Sequence, residues 1–117
     1  MKSEQGCSHP KTIEVGQLTG RAIDARGSPV PHFCVGLFTE SEHKLVRYVT
    51  ADDNGGFTLD TKDLPGGEYR LVGRADGLCP ANQRLRVKPH SHRTKTLIAH
   101  MIGRGIDICS YFALGKE

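Results

Sequence analysis

The chain has 117 residues, of which 37% are hydrophobic and none is Trp. This length predicts one domain with a core of its own. Sixteen Lys and Arg against thirteen Asp and Glu leave a formal charge of +3, which is too small to indicate a nucleic-acid interface.

No part of the sequence has the composition of a membrane segment or of a signal peptide. No run approaches the roughly 20 apolar residues that a membrane helix needs, so we expect no membrane insertion. Residues 1–14 lack the apolar centre of a signal peptide, and we interpret them as a tail. Met1 is still compatible with an export leader that was removed before it.

The four cysteines, Cys7, Cys34, Cys79 and Cys109, lie far apart and form no C-x-x-C pair. This spacing argues against a zinc ribbon and against a thioredoxin-like redox pair. Scattered cysteines in even number favour disulfides, and we therefore expect a secreted or periplasmic protein. The alternative is a cytoplasmic protein with four reduced, buried thiols.

Three segments in the first half of the chain alternate apolar and other residues as strands do. They cover residues 15–24, 32–39 and 44–50, and a turn at 25–29 separates the first two. Prolines at 29 and 31 favour extended backbone between them.

Residues 50–75 contain the clearest strand pattern of the sequence. The turn at 53–56 is followed by Phe57 and Leu59, which alternate with polar residues. Pro65 before Gly66 predicts a second turn, after which a strand begins near Tyr69. Further strands are predicted around 84–88 and over 94–102. Since no segment of ten residues has a helical period, the pattern indicates an antiparallel sandwich.

The order of these motifs resembles that of carboxypeptidase regulatory-like domains. Residues 16–24 with Gly27-x-Pro29-Val30-Pro31 resemble the family's opening G-x-V-x-G-x-V-x-D-x-x-G-x-P-V-P. Residues 50–59 resemble its T-D-x-x-G-x-F-x-L motif, with one extra residue near Asp53, and residues 64–71 match L-x-x-G-x-Y-x-L.

The resemblance implies an all-β fold, a seven- to eight-stranded antiparallel Greek-key β-sandwich of transthyretin or prealbumin type. Residues 15–102 would form the sandwich, residues 1–14 a tail, and residues 103–117 a strand-like extension of the same domain. The family also implies an accessory module of exported, often bacterial, proteins. We therefore expect a non-enzymatic interaction module without a cofactor.

Transthyretin-like hydroxyisourate hydrolases share the broad fold and offer the alternative function. They use His and Arg residues and a C-terminal Tyr-Arg-Gly-Ser, whereas residues 110–115 here read Ser-Tyr-Phe-Ala-Leu-Gly. The sequence also lacks G-x-S-x-G and a recognisable Cys–His or paired-carboxylate set. We expect no catalytic residues, with a small hydrolytic domain as the alternative.

Three short patterns could supply metal ligands: Cys7-x-His9, His32-x-Cys34 and His90-x-His92. Each pattern puts two ligands on one side of an extended segment. Nothing in the sequence brings two of the pairs together, so we predict no metal site, and a metal-binding domain stays the alternative.

A set of basic residues is predicted to lie on the outer face of two neighbouring strands. It consists of Arg70, Arg74, Arg84, Arg86 and Lys88. The simplest interpretation is a solvated sheet surface. The functional interpretation is a face that binds an acidic protein surface or a polysaccharide.

The C-terminal extension is expected to cover apolar residues of the strand at 94–102. Its apolar residues on one side are Ile106, Ile108, Phe112 and Leu114. Folding back as an eighth strand would give a monomer, and crossing to a second copy would give a strand-exchanged homodimer. A bridge between Cys7 and Cys109 is favoured because both lie outside the family match, and Cys34 with Cys79 is the complementary pair.

Overall fold

The computed structural model describes residues 12–88, 94–103 and 109–115, and it contains nine β-strands in these ranges. The strands are β1 (Ile13–Val15), β2 (Gln17–Ile23), β3 (Cys34–Thr39), β4 (Leu45–Thr50), β5 (Gly56–Leu59), β6 (Gly67–Arg74), β7 (Ala81–Val87), β8 (Thr94–His100) and β9 (Tyr111–Leu114). A search of the same ranges for a helix long and apolar enough to cross a membrane finds none.

The strands form two sheets, which confirms the predicted all-β sandwich. One sheet has the order β1-β7-β6-β3-β4 and the other the order β5-β2-β8-β9. The predicted antiparallel pairing holds for most strand pairs, but β1 pairs with β7 and β2 pairs with β8 in parallel. Both sheets are therefore mixed.

The predicted strand at 15–24 is divided at Gly16, and this division produces the two parallel pairs. β1 ends at Val15 in one sheet, and β2 begins at Gln17 in the other. The buried hydroxyl of Thr61 donates a hydrogen bond to the Gly16 carbonyl at the crossing point. β1 also begins at Ile13, inside the predicted tail.

The turn before β5 fixes how β5 pairs with β2. The Asp52 Oδ1 accepts hydrogen bonds from the amides of Asn54 and Gly56, at 2.9 and 2.8 Å. Gly55 has φ of 81°, and a Cβ there would lie 2.7 Å from the Ala22 carbonyl oxygen. Only glycine meets both demands, so this turn sets the register that the sequence pattern predicts.

The core lies between the two sheets and contains the inward residues of both. Phe33 and Phe57 meet there with ring centroids 5.8 Å apart. Glycines lie against both rings, since a Cβ at Gly20 would be 2.6 Å from Phe57 Cζ and one at Gly73 would be 2.5 Å from Phe33 Cζ. Strand glycines here make room for aromatic rings.

The C-terminal extension reaches the sandwich as β9, which pairs antiparallel with β8 at the edge of the four-stranded sheet. Phe112 is buried in the core, but Leu114 is 57% exposed. The extension therefore adds an edge strand beside β8 and does not cover its outer face. Phe112 reaches the core from this edge, whereas Leu114 at the end of β9 does not. Ile106 and Ile108 lie outside the described residues, and the choice between monomer and exchanged dimer stays a prediction.

Candidate functional site

A cleft of about 500 Å³ opens on the outer face of the five-stranded sheet. It is bounded by the start of β3, by β4, by the end of β6 and by the loop that follows β6. The side chains that give it polar character belong to His32, Cys34, Tyr48, Arg74 and Asp76. Small-molecule sites in proteins have volumes of roughly 300 to 1,000 Å³, so the cleft has the size of a ligand site.

Strand register brings the cleft residues together from distant parts of the sequence. Cys34 on β3 lies opposite Thr50 on β4 and opposite Arg74 on β6. The next outward row pairs Gly36 with Tyr48 and with Val72. Side chains of the two rows point to the same side of the sheet, since residues two apart on a strand share a face.

The Cys34 thiol, which lines the cleft, lies near the hydroxyl groups of Tyr48 and Thr50. The Cys34 Sγ lies 4.0 Å from the Thr50 Oγ1 and donates to the His32 carbonyl at 3.8 Å. A hydrogen bond with Cys34 raises the pKa of Tyr48 above its ordinary value, and the Thr50 hydroxyl opposes this effect in part. The Tyr48 hydroxyl is therefore protonated at neutral pH and can donate a hydrogen bond to a ligand.

The backbone at the edge of the cleft is in an uncommon conformation. His32 has φ of 58°, and it shares this left-handed region with one other described non-glycine residue, His43. Such a conformation is unfavourable for a residue with a Cβ, and such residues are found at functional sites more often than elsewhere. His32 is exposed at the cleft, so its ring is accessible to a ligand.

The predicted basic face is largely neutralised by glutamates. Arg70 donates to both carboxylate oxygens of Glu40, at 3.1 and 3.0 Å, and Arg84 lies 3.4 Å from the same carboxylate. The bond from Arg70 holds the pKa of Glu40 below its ordinary value, so the carboxylate stays charged. This side-on, two-bond geometry is the strongest form of such a pair.

The remaining cations of the set have partners with one exception. Arg86 lies 2.7 Å from Glu68 and 3.8 Å from Glu14, and Lys88 lies 3.1 Å from Glu14. Arg74 has no ion pair within the described part of the chain, and it lines the cleft. The predicted face therefore offers a ligand one available guanidinium instead of five cations.

The four-stranded sheet carries a second outward group of polar residues. The rings of His100 on β8 and Tyr111 on β9 stack with centroids 4.8 Å apart and an angle of 20°. Arg21 faces outward on β2, the strand next to β8, and Thr19 and Thr96 approach each other to 3.4 Å on the same side. This group combines an imidazole, a guanidinium and a phenol on one surface.

The structure changes the interpretation of the cysteines. Cys34 and Cys79 are free thiols, so the bridge predicted between them is not formed. The Cys34 side chain lines the cleft. Cys79 lies in the loop between β6 and β7, where its backbone amide donates a hydrogen bond to the carbonyl of Ile102, which follows β8. Cys109 is disulfide-bonded. Its predicted partner Cys7 lies outside the described residues, so that pairing stays a prediction.

Cys7, His9, His90 and His92 lie outside the described residues. Among the residues that are described, no group of three or more His, Cys, Asp and Glu could hold a metal ion.

Sequence reasoning did not single out the cleft itself. His32 and Cys34 are candidate metal ligands in the sequence, but no sequence pattern connects them to Tyr48 or to Arg74. Tyr48 and Thr50 are two residues apart on β4, and this spacing predicts that both side chains lie on the same face of the sheet. The strand order places β4 and β6 on opposite sides of β3, and this order cannot be predicted from the pattern of any single segment.

Comparisons by sequence find no matching family model and no matching curated protein. Comparison of structures finds the 5-hydroxyisourate hydrolase of Klebsiella pneumoniae, with a TM-score of 0.62 and 17% identity over 86% of this chain and 99% of that one. The chain therefore has a transthyretin-like fold. The finer assignment to carboxypeptidase regulatory-like domains stays a prediction.

Two dioxygenases are also similar, at a lower level. The 3-chlorocatechol 1,2-dioxygenase of Rhodococcus opacus 1CP has a TM-score of 0.44 and 13% identity over 94% of this chain and 68% of that one. The catechol 1,2-dioxygenase of Pseudomonas arvilla C-1 has a TM-score of 0.44 and 16% identity over 92% and 51%. Scores at this level carry no argument about the present chain.

The likeness to the hydrolase corrects one prediction. A domain without enzymatic activity is expected from the sequence, because the resemblance is to a family of accessory modules and no catalytic motif is recognisable. The structural neighbour over almost its whole length is an enzyme, and this finding contradicts that expectation. At 17% identity the likeness shows the fold alone and does not transfer a substrate.

Proposed function

We propose that this transthyretin-like domain binds a small organic carboxylate in the cleft beside Arg74. The observation that carries the proposal is the state of Arg74. In the described part of the chain, it is the member of the predicted basic face that has no ion pair, and it lines a cleft of about 500 Å³.

The chemistry of the cleft suits a carboxylate. A guanidinium presents donors in a fork that matches two carboxylate oxygens, and such bonds are stronger than neutral ones. The Tyr48 hydroxyl on β4 and the Cys34 thiol on β3 also line the cleft, and each can turn its hydrogen from its present partner to the ligand. Together these groups favour an anion with several acceptor atoms.

Asp76 limits the charge that the ligand can carry. Its carboxylate also lines the cleft and is exposed, so it repels a second negative charge on the ligand. We therefore expect monocarboxylates to bind better than dicarboxylates. Replacing Asp76 by Asn should strengthen the binding of a dicarboxylate more than that of a monocarboxylate, because it removes this repulsion.

The test is a titration of the isotope-labelled chain with propionate, followed by NMR. Saturable shifts are expected at the amides of Cys34, Tyr48 and Arg74. Arg74→Gln should weaken binding at least tenfold, and the matched control Arg86→Gln, which alters an ion-paired arginine, should change it less than twofold. Equal effects of the two variants, or no saturable shift, would overturn the proposal.

A second candidate function is hydrolysis at the outer face of the four-stranded sheet. The stacked His100 and Tyr111 beside Arg21 favour it, because an imidazole can act as a base and a guanidinium can stabilise an anion. The similar structure named as a 5-hydroxyisourate hydrolase makes 5-hydroxyisourate the first compound to test.

The test of this second function follows 5-hydroxyisourate by its ultraviolet absorbance. If the chain is a hydrolase of this kind, substrate decay should exceed the spontaneous rate, and His100→Ala should remove the excess. Arg74→Gln is the matched control, because it alters the other sheet. Decay at the spontaneous rate would reject hydrolysis of this substrate.

Export and a bridge from Cys7 to Cys109 are further proposals, supported by the number and spacing of the cysteines. Non-reducing peptide mapping of protein made under oxidising conditions should find the linked peptides of Cys7 and Cys109. Four free thiols would reject both the bridge and the argument for export.

A protein or polysaccharide partner also stays a proposal, and the cleft gives no reason to prefer either class.

A further inference from the structure

An apolar depression of about 220 Å³ continues from the cleft along the outer face of the five-stranded sheet. Cys34, Tyr48 and Arg74 line both spaces, so the two form one continuous surface. The residues that line only the depression are Gly36, Phe38, Leu45 and Val72. The polar cleft and the apolar depression therefore adjoin each other at the Arg74 side chain.

Gly36 keeps this depression open. A Cβ at Gly36 would lie 3.1 Å from Leu45 Cδ1 and 3.1 Å from Phe38 Cε1. A larger side chain at that position would fill the space between the outward residues of β4 and β6. The depression therefore exists because one outward position of β3 has no side chain.

Large apolar surface is exposed around the depression. Leu45 and Tyr48 are 47% and 61% exposed, and they are two of the four exposed large hydrophobic residues in the described ranges. At the far end Phe38 lies opposite Arg70, whose charge is paired with Glu40. Within the described residues Arg74 is the cation of this surface that has no ion pair, and an apolar ligand group placed on Gly36 would bury apolar area without burying a charge.

We infer that the ligand of the proposed site is an aromatic carboxylate, with its carboxylate on Arg74 and its ring in the depression over Gly36. This inference rests on the proposed function and specifies its ligand class. Arg74 and Val72 are consecutive outward residues of β6, so their Cα atoms lie about 6.6 Å apart along the strand. A carboxylate joined to a ring by two methylene groups spans that distance.

The test compares 3-phenylpropionate with propionate on the intact chain by calorimetry or by NMR. The wild-type chain should bind 3-phenylpropionate at least tenfold more tightly than propionate. Gly36→Val should reduce this preference to less than threefold and leave propionate binding unchanged. Thr58→Val, an outward substitution on the other sheet, is the matched control and should leave the preference intact.

A second variant covers the case in which Gly36→Val does not fold. Leu45→Ala removes one wall of the depression and should reduce the preference for the aromatic ligand severalfold, again without an effect on propionate. If propionate and 3-phenylpropionate bind equally well and both depend on Arg74, the inference is wrong and the proposed function stands. If neither ligand depends on Arg74, both fail.

Discussion

The outer face of the five-stranded sheet has two halves that differ in the way their charges are satisfied. In the paired half, on β6 and β7, Arg70, Arg84 and Arg86 each lie within 4 Å of a glutamate. In the open half, on β3, β4 and the end of β6, Arg74 has no such partner within the described residues and adjoins apolar surface. The same strand, β6, contributes to both.

The difference arises mainly in the neighbouring elements, because β6 itself supplies one of the glutamates, Glu68, which pairs with Arg86. Glu40 follows β3 and reaches Arg70, and Glu14 on β1 reaches Arg86. β4 supplies Tyr48 and Thr50 at the corresponding outward positions and no carboxylate. A row of basic residues therefore indicates an exposed face, but only cross-strand neighbours decide whether its charges are available.

The largest expected effect concerns the core on which both halves rest. Phe57→Ala removes a buried ring that contacts Phe33 and should lower the free energy of unfolding by about 3 to 5 kcal/mol. Amide exchange should then increase together in β3 and in β7. Amide exchange that increases in one strand alone would show that the two halves unfold separately and do not share one core.

Glycine substitutions on the two sides of the open half should differ. Gly73→Ala places a Cβ 2.5 Å from the Phe33 ring in the core and should destabilise the fold by about 1 to 3 kcal/mol. Gly36→Ala meets only the ends of Leu45 and Phe38 and should cost less than about 1 kcal/mol. Chemical denaturation measures both, and a larger loss for Gly36→Ala would mean that the depression is packed like a core.

The ion pair of the paired half should make stability depend on pH. Arg70 lowers the pKa of Glu40 below its ordinary 4.5, so the charged carboxylate stabilises the fold above that pH and the contribution is lost as pH falls through the lowered pKa. Glu40→Gln should therefore destabilise the chain by about 1 kcal/mol at pH 7. The difference from wild type should shrink in acid, and a difference that does not change with pH would contradict the assignment.

The smallest expected effect is that of Arg86→Ala. Arg86 is about half exposed and its partners Glu14 and Glu68 are exposed as well, so solvent screens the pair. The unfolding midpoint in denaturant should match that of wild type within the error of the measurement. A clear loss of stability would show that the paired half is a structural network and not a solvated surface.

The sequence predicted those features that local rules determine. The turn at Gly55, the inward Phe57 and the outward arginines all follow from turn chemistry and period-two alternation. The division of the first strand at Gly16 was missed, because alternation continues across it and gives no sign of a change of sheet. The glutamate partners and the cleft were missed because they depend on strand order, which joins residues far apart in the sequence.

The two parallel pairings also have a consequence for how the chain folds. β1 and β2 are made early, yet β1 pairs with β7 and β2 joins the four-stranded sheet through β8, close to the far end of the sequence. Pairing at such sequence separation makes folding slow, in the range of milliseconds to seconds for sandwiches of this type. During synthesis, β2 can pair only with β5 until β8 has emerged from the ribosome. The arrival of β8 therefore controls when the sandwich can close.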